Sequence, residues 1–396
     1  MSERVVKPVG RGFLFLDSHP AGCAQIVRDL AASVVPPIVE PRVPEDAPVA
    51  LVIGSSSGYG LATTIAGLTA FDITGVGVSF EKPANARRTA SAGWYRTAET
   101  AKLARERRSR FSFVNADAFA DTTKAEVLDL IAEKFGKIDH LIYSVAAPRR
   151  TDPRTGETYQ SALKTIGEPY TTKSLAYDGA EPQLTEVTVD PATDDDLAQT
   201  VKVMGGEDWA RWVTALQERD LVSEYFNTVA LTYIGSDITG PIYRQGSIGA
   251  AKADLEQTAL TLAKNGIRAY TSVNGAAVTQ ASSAIPGIGL YTSLLHKTLG
   301  ADMQTPIQQS VNLWSQLTGK PKDLDDDGRI RLDRWELTPE TQATVHQAWQ
   351  SATQDNLADV ADTDWFYTEV RRLYGFDVPG VDYEAEVEVD VAWPAN

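Results

Sequence analysis

The chain has 396 residues, 43% hydrophobic and 23% charged, with a formal net charge of −16. That length has room for a large core, nominally two or three domains at about 150 residues each, or one elaborated α/β domain. So acidic a chain lacks the basic footprint of a general nucleic-acid binder. No stretch reaches the ~20 apolar residues that span a bilayer, and the lone Cys23 can build neither an internal disulfide nor a metal cluster.

Residues 1–48 read as an N-terminal extension, with a helix over 26–32 and a proline-rich connector over 36–48. It has no long apolar segment of the signal-peptide kind, and the single cysteine fits a reducing cytoplasm, the location expected. An alternation follows. Strands are predicted over 49–53, 73–80, 111–115 and 140–145, with helices from Gly60 onward, over 99–108 and over 124–135. This alternation predicts a parallel sheet with helices on both faces. Residues 148–205 break the rhythm, being rich in Thr, Pro, Asp and Gly, with one short run at 184–189 that suits a strand. They read as an insertion on the substrate side, reaching to about residue 229. A helix over 208–217, a strand over 230–234, a helix over 250–264 and a strand over 267–273 complete the sheet region. The C-terminal third reads as helical, with Trp314, Trp335, Trp349 and Trp365 as packing residues. The 49–396 region is therefore expected to form one elaborated Rossmann unit of the short-chain-dehydrogenase type.

The segment LVIGSSSGYGLA at 51–62 has the form strand, glycine turn, helix start. Gly54, Gly58 and Gly60 let the backbone turn sharply and let a pyrophosphate approach the amides. The helix N-terminus then offers unpaired N–H groups to the anion, and Ser55, Ser56 and Ser57 can add hydrogen bonds. Glu81 lies 21 residues after Gly60, at the end of the second strand. A carboxylate there accepts from the adenosine ribose hydroxyls and repels a 2′-phosphate, which favours NADH over NADPH. Asp117 ends the third strand, within reach of an adenine amino group, and 144–147 end the fourth beside the expected nicotinamide ribose.

The second chemical segment is YRQGSIGAAK at 243–252. Tyr243 and Lys252 are nine residues apart, two and a half turns, so on one straight helix they would face opposite ways. They converge only if the tyrosine precedes the helix. Gly246 supplies the break and Ser247 is the expected N-cap. Tyr233, ending a strand ten residues upstream of Tyr243, is a further phenol within reach of the same pocket.

Taken with GSSSGYGLA, FEKP, AGWY, SVAAPRRTDPRTGE, VMGGEDW, YRQGSIGAAK, VTQASSAIP and LYGFDVPGVDY, the chain resembles the trans-2-enoyl-CoA and enoyl-ACP reductases of the FabV type over nearly its whole length. The resemblance implies a monomeric enzyme that uses NADH to reduce the C2–C3 double bond of an enoyl thioester, carried on coenzyme A or acyl carrier protein, in fatty acid synthesis. It implies Tyr243 as proton donor, Lys252 as holder of the nicotinamide ribose, and Tyr233 as a substrate contact that also helps Tyr243 as a second hydroxyl at the thioester oxygen. It also implies Gly54, Ser55, Ser56, Ser57, Gly58 and Tyr59 along the cofactor, with Phe80, Glu81, Asp117, Ala118, Val145 and Ala146. Ala277, Val278 and Thr279 would follow the sixth strand. NGAAVTQ at 274–280 departs from the bulkier residues expected there, which could shift the cofactor-facing wall. On this reading the Lys252 charge lowers the pKa of the Tyr243 phenol.

Two clusters of arginines are candidate anion sites, with solvated surface charge as the favoured reading of any single one: Arg105, Arg107, Arg108 and Arg110, and Arg149, Arg150 and Arg154. DLDDDGRI at 323–330 mimics a calcium loop. Its twelfth position is Arg334, not the bidentate glutamate, and Glu336 comes two residues late, so no metal site is expected. A ketone or alcohol oxidoreductase on the same fold and a non-catalytic dinucleotide sensor are the competing readings.

Overall fold

The computed structural model describes residues 3–36, 47–280, 285–319 and 321–395, so most of the proline-rich connector lies outside the described residues. Seven strands form the central sheet: β1 Val49–Ile53, β2 Thr74–Ser79, β3 Phe111–Asn115, β4 Ile138–Tyr143, β5 Val222–Thr232, β6 Arg268–Val273 and β7 Ile330–Arg331. Their spatial order is β3-β2-β1-β4-β5-β6-β7, and every pairing is parallel. The expected Rossmann architecture is therefore present. The order reverses between β1 and β4, and at such a switch point the carboxyl ends of the strands leave a ligand crevice.

The helices are α1 Pro20–Ser33, α2 Gly58–Ala70, α3 Ala92–Glu106, α4 Asp121–Lys134, α5 Asp194–Met204, α6 Glu207–Glu218, α7 Gly240–Tyr243, α8 Ser247–Lys264, α9 Ile288–Leu299, α10 Pro306–Thr318, α11 Pro339–Ser351, α12 Leu357–Val360 and α13 Thr363–Arg372. β1 reads VALVI because both faces of the sheet are covered. Leu51 and Ile53 pack with α4, α6 and α8 through Ile131, Trp209, Trp212 and Leu255. Ala50 and Val52 pack with α1, α2 and α10 through Val27, Ile65, Leu68 and Trp314.

A third apolar cluster joins α7 and α9 to α11–α13 and to the hairpin Tyr170–Asp178 with Glu181–Val189, through Leu175, Tyr177, Tyr243, Tyr291, Leu294 and Phe366. Trp314 is fully buried, and Trp335, Trp349 and Trp365 pack against this third cluster. The hairpin contains the run at 184–189. Its first strand, YTTKSLAYD, was hidden in the sequence by its polar residues.

Three predicted boundaries move by six residues or more, for local reasons. α1 begins six residues before 26, because Pro20 opens the helix and the His19 ring accepts from the Gly22 N–H at 3.2 Å. α3 begins at Ala92, since its first turns bury Tyr95 and Arg96, which donate to the Val389 and Leu373 carbonyls of the C-terminal segment, and Glu99, which pairs with Arg28 of α1. β5 begins at Val222, where polar residues and a register irregularity mask the strand period.

Candidate active site

The glycine turn joins β1 to α2. Gly54 has φ +89°, and a Cβ there would lie 2.0 Å from the Ser144 carbonyl oxygen. A Cβ on Gly60 would lie 2.0 Å from the Gly54 carbonyl oxygen. Backbone therefore packs on backbone at both positions, and only glycine fits. Ser57, the N-cap of α2, makes no side-chain cap bond, which leaves the first amides of the helix for a ligand. Gly54, Ser56, Ser57, Gly58 and Tyr59 line a cleft of about 770 Å³. Ser55 lies beneath the turn, its hydroxyl 3.4 Å from the Val78 carbonyl oxygen, and does not line the cleft.

Phe80, Glu81, Asp117 and Ala118 line the same cleft beyond β2 and β3. The Glu81 carboxylate accepts from the Ser56 hydroxyl at 2.6 Å and from the Ser91 hydroxyl, and rests against Gly93, where a Cβ would come within 2.0 Å of it. Asp117 closes its own turn by accepting from the Phe119 N–H at 3.0 Å. The carbonyls of Ala118 and Phe119 accept from Lys124 at 2.8 and 3.2 Å. Lys124 is itself paired with buried Asp208 at 2.8 Å, so α4 and α6 brace this wall. Val145 and Ala146 line the cleft after β4, and Ala277 and Thr279 line it after β6. Val278 packs into the third apolar cluster instead. The small residues at 274–277 have a steric reason: a Cβ on Gly275 would meet the Trp335 indole at 2.4 Å.

Tyr243 ends the four-residue helix α7, and Lys252 lies in the second turn of α8. The chain breaks between them, with Gly246 rather than Ser247 as the N-cap. Ser247 is instead committed to the insertion: its hydroxyl donates to the Ala162 carbonyl and accepts from the Lys164 N–H at 3.1 Å. The break brings the Lys252 ammonium 5.9 Å from the centre of the Tyr243 ring. Lys252 also donates to the Thr232 hydroxyl at the end of β5, at 3.0 Å. Burial, then the Arg244 charge, lowers the Lys252 pKa to about 8. Burial, then the Glu336 charge, raises the Tyr243 phenol well above its usual range. The expected lowering of that phenol by Lys252 is therefore corrected: the low-dielectric wall wins, and Tyr243 is a neutral phenol.

Tyr233 follows β5 and stands edge-on to Tyr243, ring centres 4.8 Å apart at 90°. Both line the cleft. Behind Tyr233 lies Glu336, fully buried. One of its oxygens accepts from the Tyr233 hydroxyl at 2.9 Å and the Tyr291 hydroxyl at 2.8 Å, and the other from the Ala276 N–H at 2.5 Å. Sequence reasoning met Glu336 only as a misplaced calcium ligand and missed Thr232 and Tyr291. Thr232 had one signal, its place next to Tyr233 at a strand end. Glu336 and Tyr291 had none, since they reach the pocket from far along the chain.

Of the candidate anion sites, Arg149 lines the cleft. Arg150 is buried, donating to the Lys202 carbonyl at 2.8 Å, and Arg154 pairs with Glu207 at 2.5 Å. None of Arg105, Arg107, Arg108 and Arg110 lines the cleft. In the 323–330 loop, Asp323 pairs with Arg334 at 2.8 Å, Asp325 with Arg329 at 2.8 Å and Arg331 at 3.1 Å, and Asp327 with Arg329 at 2.8 Å.

Family models match along the chain in order. They are the NAD(P)H binding domain of trans-2-enoyl-CoA reductase over 5–86, the trans-2-enoyl-CoA reductase catalytic region over 88–318, and an enoyl reductase FAD binding domain over 324–387. The chain is 58% identical to an enoyl-[acyl-carrier-protein] reductase [NADH] of Streptomyces avermitilis, covering 99% of this chain and all of the relative. It is 42% identical to a trans-2-enoyl-CoA reductase [NADH] of Clostridium perfringens, covering 97% and 99% of the two chains. The crystal structure of Treponema denticola trans-2-enoyl-CoA reductase in complex with NAD superposes with a TM-score of 0.89 at 36% identity, over 98% of this chain and 100% of that one. The flavin of the third model does not fit the residues it covers. Segment 324–387 contributes one residue, Leu373, to the cleft lining, and among the described residues it has no glycine turn between strand and helix.

Proposed function

The chain belongs to the trans-2-enoyl-CoA reductase family, and from that premise we propose that it reduces the C2–C3 double bond of a trans-2-enoyl thioester with NADH. The observation that carries this is the meeting of Tyr243, Lys252 and Thr232 in the same cleft as the glycine turn. The residues fit a dinucleotide: packed glycines and open helix amides for the pyrophosphate, and Glu81 for the adenosine ribose. NADH, when bound, supplies the hydride for the substrate β-carbon.

The chain's own residues do the rest. Lys252, steadied by Thr232, would hold the nicotinamide ribose. As the double bond is reduced, negative charge gathers on the thioester oxygen. A hydroxyl aimed at that oxygen stabilises the transition state more than the ground state. Tyr243 is suited to this role, its hydroxyl being neutral and without a hydrogen-bond partner among the described residues. Proton delivery to the α-carbon completes the saturated acyl thioester. Action as a monomer and in fatty acid synthesis belongs to the same reading, with the acyl group on coenzyme A or an acyl carrier protein. Among the described residues no helix is long and apolar enough to cross a membrane.

The test is the loss of NADH absorbance with crotonyl-CoA, against acetoacetyl-CoA. Oxidation with the enoyl thioester alone is expected. Oxidation with the ketone alone would favour a carbonyl reductase, and oxidation with neither would favour a sensor.

A further inference from the structure

Glu336 is the one buried carboxylate that touches the catalytic wall without a cation: among the described residues no Lys, Arg or His pairs with it. Its hydrogen bonds have fixed directions. The Gln342 side-chain amide nitrogen donates to the Glu336 backbone carbonyl at 2.7 Å and to the Tyr291 oxygen at 3.1 Å. Tyr291 thus accepts from Gln342, and its own proton goes to Glu336. The Ala276 N–H can only donate. A carboxylate with these neighbours accepts everything offered, including the single proton of Tyr233.

We infer that Glu336 is a positioning residue that sets the direction of the Tyr233 hydroxyl: while ionised it takes the Tyr233 proton, leaving Tyr243 as the phenol free to donate to the substrate oxygen. This rests on the proposed role of Tyr243. It changes the expected role of Tyr233, which presents only a lone pair to the cleft and cannot act as a second donor in this state.

Protonation reverses the arrangement. A neutral Glu336 must donate, and Tyr291 already accepts from Gln342, so the new proton points to the Tyr233 oxygen. The Tyr233 proton is then released toward the cleft. Burial pushes Glu336 up to about 7, against the Ala276, Tyr291 and Tyr233 hydrogen bonds. The groups facing it are Tyr233 after β5, Tyr291 on α9, Tyr59 on α2 and Tyr243 on α7, all phenols raised by burial and so neutral near that pH. The nearby charge is Asp333 of its own turn, which is paired with Arg331 at 2.7 Å.

Glu336→Gln fixes the reversed direction at Tyr233. The Ala276 N–H selects the amide oxygen, which turns the amide nitrogen toward the tyrosines as a donor. Steady-state kinetics therefore compare Tyr243→Phe with Tyr243→Phe/Glu336→Gln, after circular dichroism and a fluorescence titration of NADH show both folded and loaded. In Tyr243→Phe the residual kcat should rise about tenfold from about pH 8 to about pH 6, as Tyr233 gains a free proton. The double variant should hold the higher kcat across that range, and adding Tyr233→Phe should abolish the gain. A flat, low profile in Tyr243→Phe overturns the inference alone, whether or not the double variant folds. Full kcat in Tyr243→Phe at every pH overturns both this inference and the Tyr243 assignment.

Discussion

The Lys252 ammonium lies 5.9 Å from the centre of the Tyr243 ring although nine residues and a helix break separate them. A phenol hydroxyl without a hydrogen-bond partner among the described residues and a buried cation thus share one wall, with different expected duties. Tyr243→Phe removes a donor and little volume, so folding and NADH binding should survive while kcat falls by about 10²–10³. KM for the enoyl thioester should change much less, because ground-state contacts remain. Lys252→Met should weaken NADH binding as well as turnover. Steady-state kinetics with a fluorescence titration of NADH on both variants checks this, and full kcat in the Tyr243 variant would remove it as proton donor.

Glu81 should favour NADH over NADPH by about tenfold or more in kcat/KM, about 1.4 kcal/mol. The structure adds a second way to test it. Gly93→Ala would place a methyl 2.0 Å from the Glu81 carboxylate, whose flexible end can move aside. The fold should persist while the carboxylate leaves its place on Ser56 and Ser91, so the cofactor preference should narrow, as it should in Glu81→Ala. Unchanged discrimination in both variants would separate cofactor choice from this residue.

Glu336 also links stability to pH. Its folded pKa, about 7, stands above the usual carboxyl value of 4.5. Between the two the folded state holds a proton that the unfolded state has lost. Its contribution is full below the unfolded value and is lost as pH rises through about 7. Chemical denaturation at several pH values, wild type against Glu336→Gln, should show a wild-type stability that declines across this window relative to the variant. Parallel curves would mean that Glu336 titrates normally.

The 323–330 loop should not bind calcium specifically. Arg329, Arg331 and Arg334 already neutralise Asp323, Asp325 and Asp327, and the closing glutamate is missing. Micromolar affinity in a calorimetric titration would contradict this.

The sequence by itself determined the parallel sheet and its cofactor turn. The apolar run at 49–53 and the glycines at 54 and 60 leave a visible mark in the residues themselves: a strand covered on both faces is apolar throughout, and backbone packed on backbone excludes a side chain. It also located Tyr243 and Lys252, because a helix break is written in nearby residues. Tertiary structure alone decided which groups surround them. Thr232 reaches Lys252 from the neighbouring strand, Ser91 and Gly93 brace Glu81 from the next helix, and Glu336 meets Tyr233 across 103 residues. The direction of the Tyr243 pKa was lost for the same reason. A charge nearby in sequence is visible from the residues, whereas burial and a carboxylate delivered from the C-terminal segment arise only when distant layers close over the cleft.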